Sequence, residues 1–557
     1  MSSPASSIER QCDVLIIGGG IAGISIAERL AREARRKSKA ISIIVVDRET
    51  TLGTQTSGGL EGWLHTGVLY TKLEDPRTFT NCMNALEDLV NWYALDDVFH
   101  FKEHCNLRLP ATGRGRPERV DSDNGWFADE IEYEIESTNE STAFNAERAR
   151  FVDRSTLYFL EESWQDSRLG VCRAPHFSHQ QTTNPSAAQI HSNRSTPTDL
   201  TMNAGRILAD LASAAAQQGV EFLLGYDAIT IQGSQNRVRL SPHGDQTQHI
   251  TVDATQVIHA SGQSLNENTT NELGVLRNIS FTHRQSVMLV VTPAINSPCF
   301  ARIGAHDGND LNHVIRRSPS GNVSVIADSN TVSNNASEEE LTAAAMRLKS
   351  KLEACFSHIA WNDHQLVWYT CRKVECSIAD GEERDYSFWW GPTTFRQTNE
   401  TWQHIRKHSK GTGEQAILDW VLSGKTDDLP APIESDWWSI RKAIHFATLS
   451  QIHAERHRSD SINTNALRRI RQLFPPVDNH RRSMFVVPGK FSLFPSVAHQ
   501  TFIEMEIRGL FDTLKPGMAK PAPFNRELVS KPAVFLAGQQ NGRAHMSQWN
   551  RNSSECV

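Results

Sequence analysis

Three glycines mark where this sequence first commits to chemistry. From residue 13 it reads DVLIIGGGIAGISIAERLAREA, and Gly18, Gly20 and Gly23 fall in G-x-G-x-x-G spacing directly behind the apolar run 14–17. In that order they supply a tight turn, a bare backbone that a pyrophosphate can approach, and close packing of helix on strand. Gly19, Ile21 and Ala22 complete the turn and the first helical positions, where unpaired N–H groups and the helix dipole favour phosphate. A second apolar run, ISIIVV at 41–46, ends in Asp47 with Arg48 behind it. An acid at that point accepts hydrogen bonds from ribose hydroxyls. The separation from Gly18 to Asp47, 29 residues, exceeds the usual spacing and calls for a longer helix or loop.

Two further segments fit a dinucleotide. The stretch 52–70, LGTQTSGGLEGWLHTGVLY, places Thr56, Ser57, Gly58 and Gly59 in a loop that can cross beside a pyrophosphate and run under a flat ring. Much later QVIHASGQ ends a strand in the small-residue turn Ala260, Ser261 and Gly262, which again lets backbone pass close to a cofactor. NAD and FAD share the first fingerprint. No second G-x-G-x-x-G in a strand setting occurs, so no built-in NAD(P)H site is expected.

The elements that must hold these groups are spread over 557 residues, enough for two to four domains. Net charge is −7 at pH 7, which argues against a broad basic face for nucleic acid. Charged residues make up 22% and hydrophobic residues 39%, as in soluble globular proteins, and no run approaches the roughly 20 apolar residues of a membrane span. The polar opening MSSPASSIERQCDV lacks a secretory h-region. Nine scattered cysteines without a C-x-x-C pair fit a reducing compartment and give no metal site, so a cytoplasmic location is expected. Cys371 and Cys376 have four residues between them, but the intervening Arg372 to Glu375 are mostly charged and the pair lies far from the glycine-rich segments.

The combination GGGIAG, TSGGLEGWLHTGVLY and VIHASG resembles the FAD-dependent oxidoreductases of the D-amino-acid oxidase superfamily. It is most similar to the branch with glycerol-3-phosphate dehydrogenase and L-2-hydroxyglutarate dehydrogenase, whose H-x-G-x-x-Y element is matched by His65, Gly67 and Tyr70. The segment MFVVPGKFSLFPSVAHQTFIEMEI is similar to that branch's Gly-Lys turn and closing helix, with Gly489, Lys490 and Ser492 in place to face the flavin pyrimidine. The resemblance implies an α/β fold: a Rossmann-like FAD/NAD(P)-binding domain (11–80, 197–279 and 484–545), an interleaved α+β substrate domain (81–196 and 280–394), and a Trp-, His- and Arg-rich helical insertion (395–483) without an obvious counterpart. Within the substrate part, 364–392 reads as two strands joined by a turn at Asp380-Gly381.

The same resemblance implies FAD as cofactor and hydride transfer from a small hydroxy acid, polyol phosphate or amino acid, with oxygen, a quinone or a carrier protein as terminal acceptor. His65 is the candidate for proton transfer, since imidazole titrates near neutral pH; a structural hydrogen bond and a covalent flavin link are its other readings. Arg372, in LVWYTCRKVE, stands where the resembled enzymes grip a carboxylate or phosphate, although their Gly-Leu-Arg-Pro setting is absent. A guanidinium suits that task because it makes two parallel hydrogen bonds; a strand-edge salt bridge with Glu375 or Glu383 is the other reading. Lys490, or the N–H groups near Ser492, would stabilise the reduced flavin. Tyr70 and the pair Trp389-Trp390 read first as core and second as pocket lining. An amine or amino-acid oxidase is the nearest alternative, and a non-catalytic FAD-binding interaction module the alternative of another class.

Overall fold

The computed structural model describes residues 7–65, 126–135, 191–193, 200–231, 236–245, 248–265, 279–303, 313–317, 323–328, 331–378, 389–390, 483–486, 490–507, 509–530 and 546–548, with Cys82, Ala85, Leu89 and Tyr93. The proposed helical insertion, the Asp380-Gly381 turn, Gly67, Tyr70 and Gly489 lie outside these residues. In chain order the elements are β1 (Ser7–Ile17), α1 (Ile21–Arg36), β2 (Ile43–Asp47), β3 (Trp63–Leu64), β4 (Phe127–Ile135), β5 (His191–Asn193), β6 (Leu200–Met202), α2 (Ala204–Gln217), β7 (Glu221–Leu224), β8 (Tyr226–Thr230), β9 (Arg237–Pro242) and β10 (His249–His259). There follow β11 (Ile279–Thr292), β12 (Cys299–Ile303), β13 (His313–Arg317), β14 (Val323–Ala327), β15 (Thr331–Ser333), α3 (Glu338–Cys355), β16 (Gln365–Ile378), β17 (Trp389–Trp390), β18 (Ser483–Val486), α4 (Phe494–Ile507), α5 (Leu510–Thr513) and β19 (Met546–Gln548).

The first sheet runs β17-β18-β10-β1-β2-β7, with every neighbouring pair along it parallel. Such strands are covered on both faces, and β1 shows it: Val14 and Ile16 pack under the helices while Leu15 turns to the opposite face, against Val238 and Leu240 of the β8–β9 hairpin. All three are fully buried, each stabilising the sheet by roughly 1.5–3 kcal/mol. β10 changes partner along its outer edge, pairing β9 antiparallel over 250–253 and β18 parallel over 257–259. β1 lies between β10 and β2, so ligands are expected in the crevice beyond the carboxyl ends of these three strands.

The polar face of α1 is buried as well. Glu28, Arg29, Arg32 and Glu33 are all buried, paired as Arg32–Glu28 and Arg29–Glu33 at 2.9 Å, with Arg29 over the Phe502 ring and Arg32 over Tyr93. Burial pushes the Glu28 carboxyl up and the Arg29 guanidinium down to about 10, which leaves Arg29 charged at neutral pH. The i,i+4 spacing was visible; the cover supplied by α4 and Tyr93 was not.

The second sheet is ordered β19-β16-β11-β14-β13-β12-β4-β6-β3, with β15 on β11 and β5 on β4. β11 and β16 pair antiparallel over their whole length. Alternation divides their side chains: Val287, Leu289, Leu366 and Trp368 pack on Ala345, Leu348 and Leu352 of α3, whereas Met288, Val290, Tyr369 and Cys371 turn toward Leu60 of the glycine-rich loop. α3 opens on a capping box between Ser337 and Glu340.

Sheet membership redraws the expected domain edges. Trp389 and Trp390 do not fold back on β16 as the second arm of a hairpin; they pair in parallel with β18 at the edge of the first sheet. β3 and β6, in stretches read as cofactor domain, belong to the second sheet. Among the described residues no helix is long and apolar enough to cross a membrane.

Candidate functional site

The turn after β1 is held by contacts that explain its glycines. Gly18 has φ +120°, and a β-carbon there would meet the Ala260 carbonyl. At Gly23 a β-carbon would run into the carbonyl of Gly18, so helix and strand could not approach. At Gly20, the N-cap of α1, a β-carbon would meet only Ser57 Oγ, at 3.2 Å. Ser57 Oγ accepts the Ile21 N–H at 3.0 Å, fixing the loop 52–65 to the start of α1. Gly18, Gly20, Ile21, Ala22, Asp47, Arg48, Thr56, Ser57, Ala260, Ser261 and Gly262 line one cleft of about 550 Å³. That is the size of a small-molecule site.

Asp47 is more committed than a simple ribose acceptor. Its Oδ2 accepts the Gly19 N–H at 2.6 Å and its Oδ1 the Glu49 N–H at 2.9 Å. Burial raises its pKa, against the opposing pull of these two N–H groups. A carboxylate has further lone pairs, so accepting a hydroxyl stays open to it. Gly19 and Gly23 shape the turn without lining the cleft. Gly58 and Gly59 do the same for the loop: a β-carbon on Gly58 would meet the Gly53 carbonyl, and one on Gly59 would lie 3.5 Å from Cys371 Sγ.

Thr56 ties three segments together. Its hydroxyl donates to the Arg372 carbonyl at 2.8 Å and accepts from Gln263 Nε2 at 3.1 Å. Farther along the cleft come Leu60, Glu61, Trp63, His65, Lys490 and Phe491. His65 stacks on Trp63, ring centroids 4.5 Å apart. Glu61 is largely buried at 7% exposure. Ser492 lies behind this wall, in the 3-10 turn that leads into α4, and its Oγ is buried without a hydrogen-bond partner among the described residues.

Arg372 is not among the cleft residues. Along β16 Tyr369 and Cys371 face the loop, so Lys373 does too, while Arg372 is exposed on the other face. Lys373 lines the cleft directly opposite Arg284 of β11, which also lines it. The cations facing the loop are therefore Lys373 and Arg284, not Arg372. The sequence carried the signal in the alternation Tyr369, Cys371, Lys373, once the apolar members are assigned to the inner face. Cys371 and Cys376, five positions apart on one strand, have α-carbons separated by roughly 16 Å, beyond disulfide reach.

His259 was also missed. It ends β10, lines the cleft at 4% exposure, and its Nε2 has no hydrogen-bond partner among the described residues. Burial pulls its pKa down to about 4, so the ring is neutral at physiological pH.

A parallel sheet with a glycine turn, an open helix N-terminus and an acid at the end of β2 defines a dinucleotide-binding fold. The chain matches the family model described as DAO, FAD dependent oxidoreductase, over residues 13–381, and it belongs to that family. No curated protein matches it. Among solved structures it is similar to L-amino acid deaminase from Proteus myxofaciens in complex with anthranilate, at 12% identity over 68% of this chain and 83% of that one, TM-score 0.44. It is likewise similar to L-alpha-glycerophosphate oxidase from Mycoplasma pneumoniae with FAD bound (14% identity, 68% and 86% covered, TM-score 0.43) and to glycine oxidase from Geobacillus kaustophilus (15%, 67% and 84%, 0.42). The chain is thus an FAD-dependent oxidoreductase. Its cleft suits the cofactor: the glycine turn leaves room at Gly20, and His259, whose buried Nε2 has no hydrogen-bond partner among the described residues, stands in the cleft wall.

Proposed function

We propose that this enzyme oxidises a small anionic substrate, a hydroxy acid, polyol phosphate or amino acid, at the carbon next to its hydroxyl or amine. The observation that carries the reading is the cross-strand pair Arg284 and Lys373, two cations on facing positions that line the same cleft as His65. Directly opposed residues on antiparallel strands lie about 5 Å apart, so both heads reach one carboxylate or phosphate. Bound FAD supplies the acceptor for the hydride leaving the substrate C–H bond. The substrate O–H or N–H proton must leave as well, and His65, held against Trp63, is the group assigned to take it. Turn and helix residues Gly18, Gly20, Ile21 and Ala22 carry the pyrophosphate, Asp47 the ribose side, and Lys490 with the turn at Ser492 the flavin's electron-rich edge. The branch with hydroxy-acid and glycerol-phosphate dehydrogenases is favoured by the placing of His65 in its loop motif.

Within that set the hydroxy compounds are the first reading, and Glu61 favours a second, an amino acid. A largely buried carboxylate in the same cleft is a natural acceptor for an ammonium group while the cations hold the carboxylate. Anaerobic mixing of the holoenzyme with 2-hydroxy acids, glycerol phosphates and amino acids separates the two. Bleaching by hydroxy compounds alone supports the first, bleaching by amino acids alone the second, and bleaching by uncharged alcohols or amines in preference to either contradicts the anion site.

A further inference from the structure

We propose that His259 is a cofactor-binding residue: from the wall of the cleft that it lines, its imidazole hydrogen-bonds an oxygen of FAD. The inference rests on the family's cofactor and adds to it a residue that the dinucleotide fingerprint does not contain.

Its place in the fold carries the argument. β10 runs in register with β1 so that His259 stands beside Ile17, the last residue before the glycine turn. The next residue, Ala260, donates its N–H to the Ile17 carbonyl at 2.8 Å and packs its own carbonyl on Gly18. His259 therefore occupies the carboxyl end of the central parallel strand, where the crevice for the dinucleotide opens. Within β10 the residues before it, Val257 and Ile258, are apolar and buried, as this position of a doubly covered strand requires. An imidazole there is an expensive choice for packing alone. Its Nε2 has given up water without gaining a protein partner, and buried polar atoms in native proteins nearly always have one. The ring is neutral, so it offers one N–H donor and one bare nitrogen acceptor. The hydroxyl and phosphate oxygens of FAD supply complementary partners without requiring a buried charge. Asp47, engaged by two backbone N–H groups, and Ser57, engaged by Ile21, already have partners inside the protein. His259 stands apart from them in this respect.

The test compares wild type, His259→Phe and His259→Gln as apoprotein and FAD complex. Phe removes both ring nitrogens at similar shape, and replacing an unpartnered polar group by an apolar one is neutral or stabilising for the apoprotein. We expect apo His259→Phe to melt at or above the wild-type temperature, yet to bind FAD about 3- to 10-fold more weakly, the loss of one neutral hydrogen bond. Gln, with a donor and an acceptor, should recover most of that affinity. An FAD dissociation constant for His259→Phe within twofold of wild type overturns the proposal, as does a Gln variant no better than Phe. Should the Phe variant fail to fold, 15N-histidine spectra of wild type decide: FAD addition should move the His259 nitrogen resonances, and unmoved resonances overturn the assignment. Failure of wild type itself to bind FAD would instead strike at the cofactor.

Discussion

Strand parity in β16 makes a sharp prediction, because it exchanges one cation for its neighbour. Lys373→Met removes an ammonium that lines the cleft, whereas Arg372→Met removes a guanidinium exposed on the other face. A charge-assisted hydrogen bond contributes about 1.5–3 kcal/mol, which alone would be about 10- to 150-fold in affinity. Arg284 stays opposite the vacated position and retains part of the attraction, so the lower end applies. Lys373→Met should weaken anion binding about 10- to 30-fold, and the double variant with Arg284→Met more than about 100-fold. Arg372→Met should change it less than about twofold, as exposed charges do. The assay is a titration of the holoenzyme with benzoate, acetate and inorganic phosphate, read from the shift of the flavin absorbance bands. Loss of binding in Arg372→Met with retention in Lys373→Met would refute the parity argument.

Three further outcomes follow from the same geometry. Gly23→Val should give protein without a flavin spectrum, since its side chain would occupy the space of the Gly18 carbonyl; a yellow, FAD-saturated variant would contradict the turn. In α1, Glu28→Leu or Arg32→Met alone should cost about 3–5 kcal/mol by stranding a buried charge, while the double variant should recover most of it in urea melts. A double variant that costs the sum of the two singles would show the pair to be worth nothing. Between pH 6.5 and about 4 the unfolded chain binds a proton at His259 that the folded apoprotein refuses. Stability from this group is therefore complete above pH 6.5 and falls with pH, by roughly 2 kcal/mol at pH 5. His259→Phe should remove that part of the pH dependence, which urea melts at pH 7.5 and 5 would detect.

Local spacing made the glycine-turn end of the cleft legible. The glycine turn, the apolar runs of β1 and β2, Asp47 and the Ala260 turn all lie within short stretches whose geometry one strand and one helix determine. The loop at Thr56 and Ser57 was readable as a loop, but its hydrogen bonds to Arg372 and Ile21 join residues far apart in sequence. The strand wall of the cleft depended on long-range facts. Whether Arg372 or Lys373 faces the cleft hangs on one residue of register, and a single step reverses every side chain. Trp389-Trp390 looked like the return arm of a hairpin because strand propensity does not say which sheet a short segment will join. His259 was hidden inside a motif read for its small residues, where a polar residue at a buried position was itself the signal.

We propose above that this cleft holds FAD and passes it a hydride from a small anionic substrate. Anaerobic stopped-flow absorbance of the FAD-loaded protein, against hydroxy acids, glycerol phosphates and amino acids, tests it most directly. Full bleaching of the oxidised flavin band by one anionic class is expected, slowed about 10-fold or more at subsaturating substrate in Lys373→Met. A flavin that stays oxidised against all three classes, or that neutral substrates reduce equally well in both proteins, would contradict it.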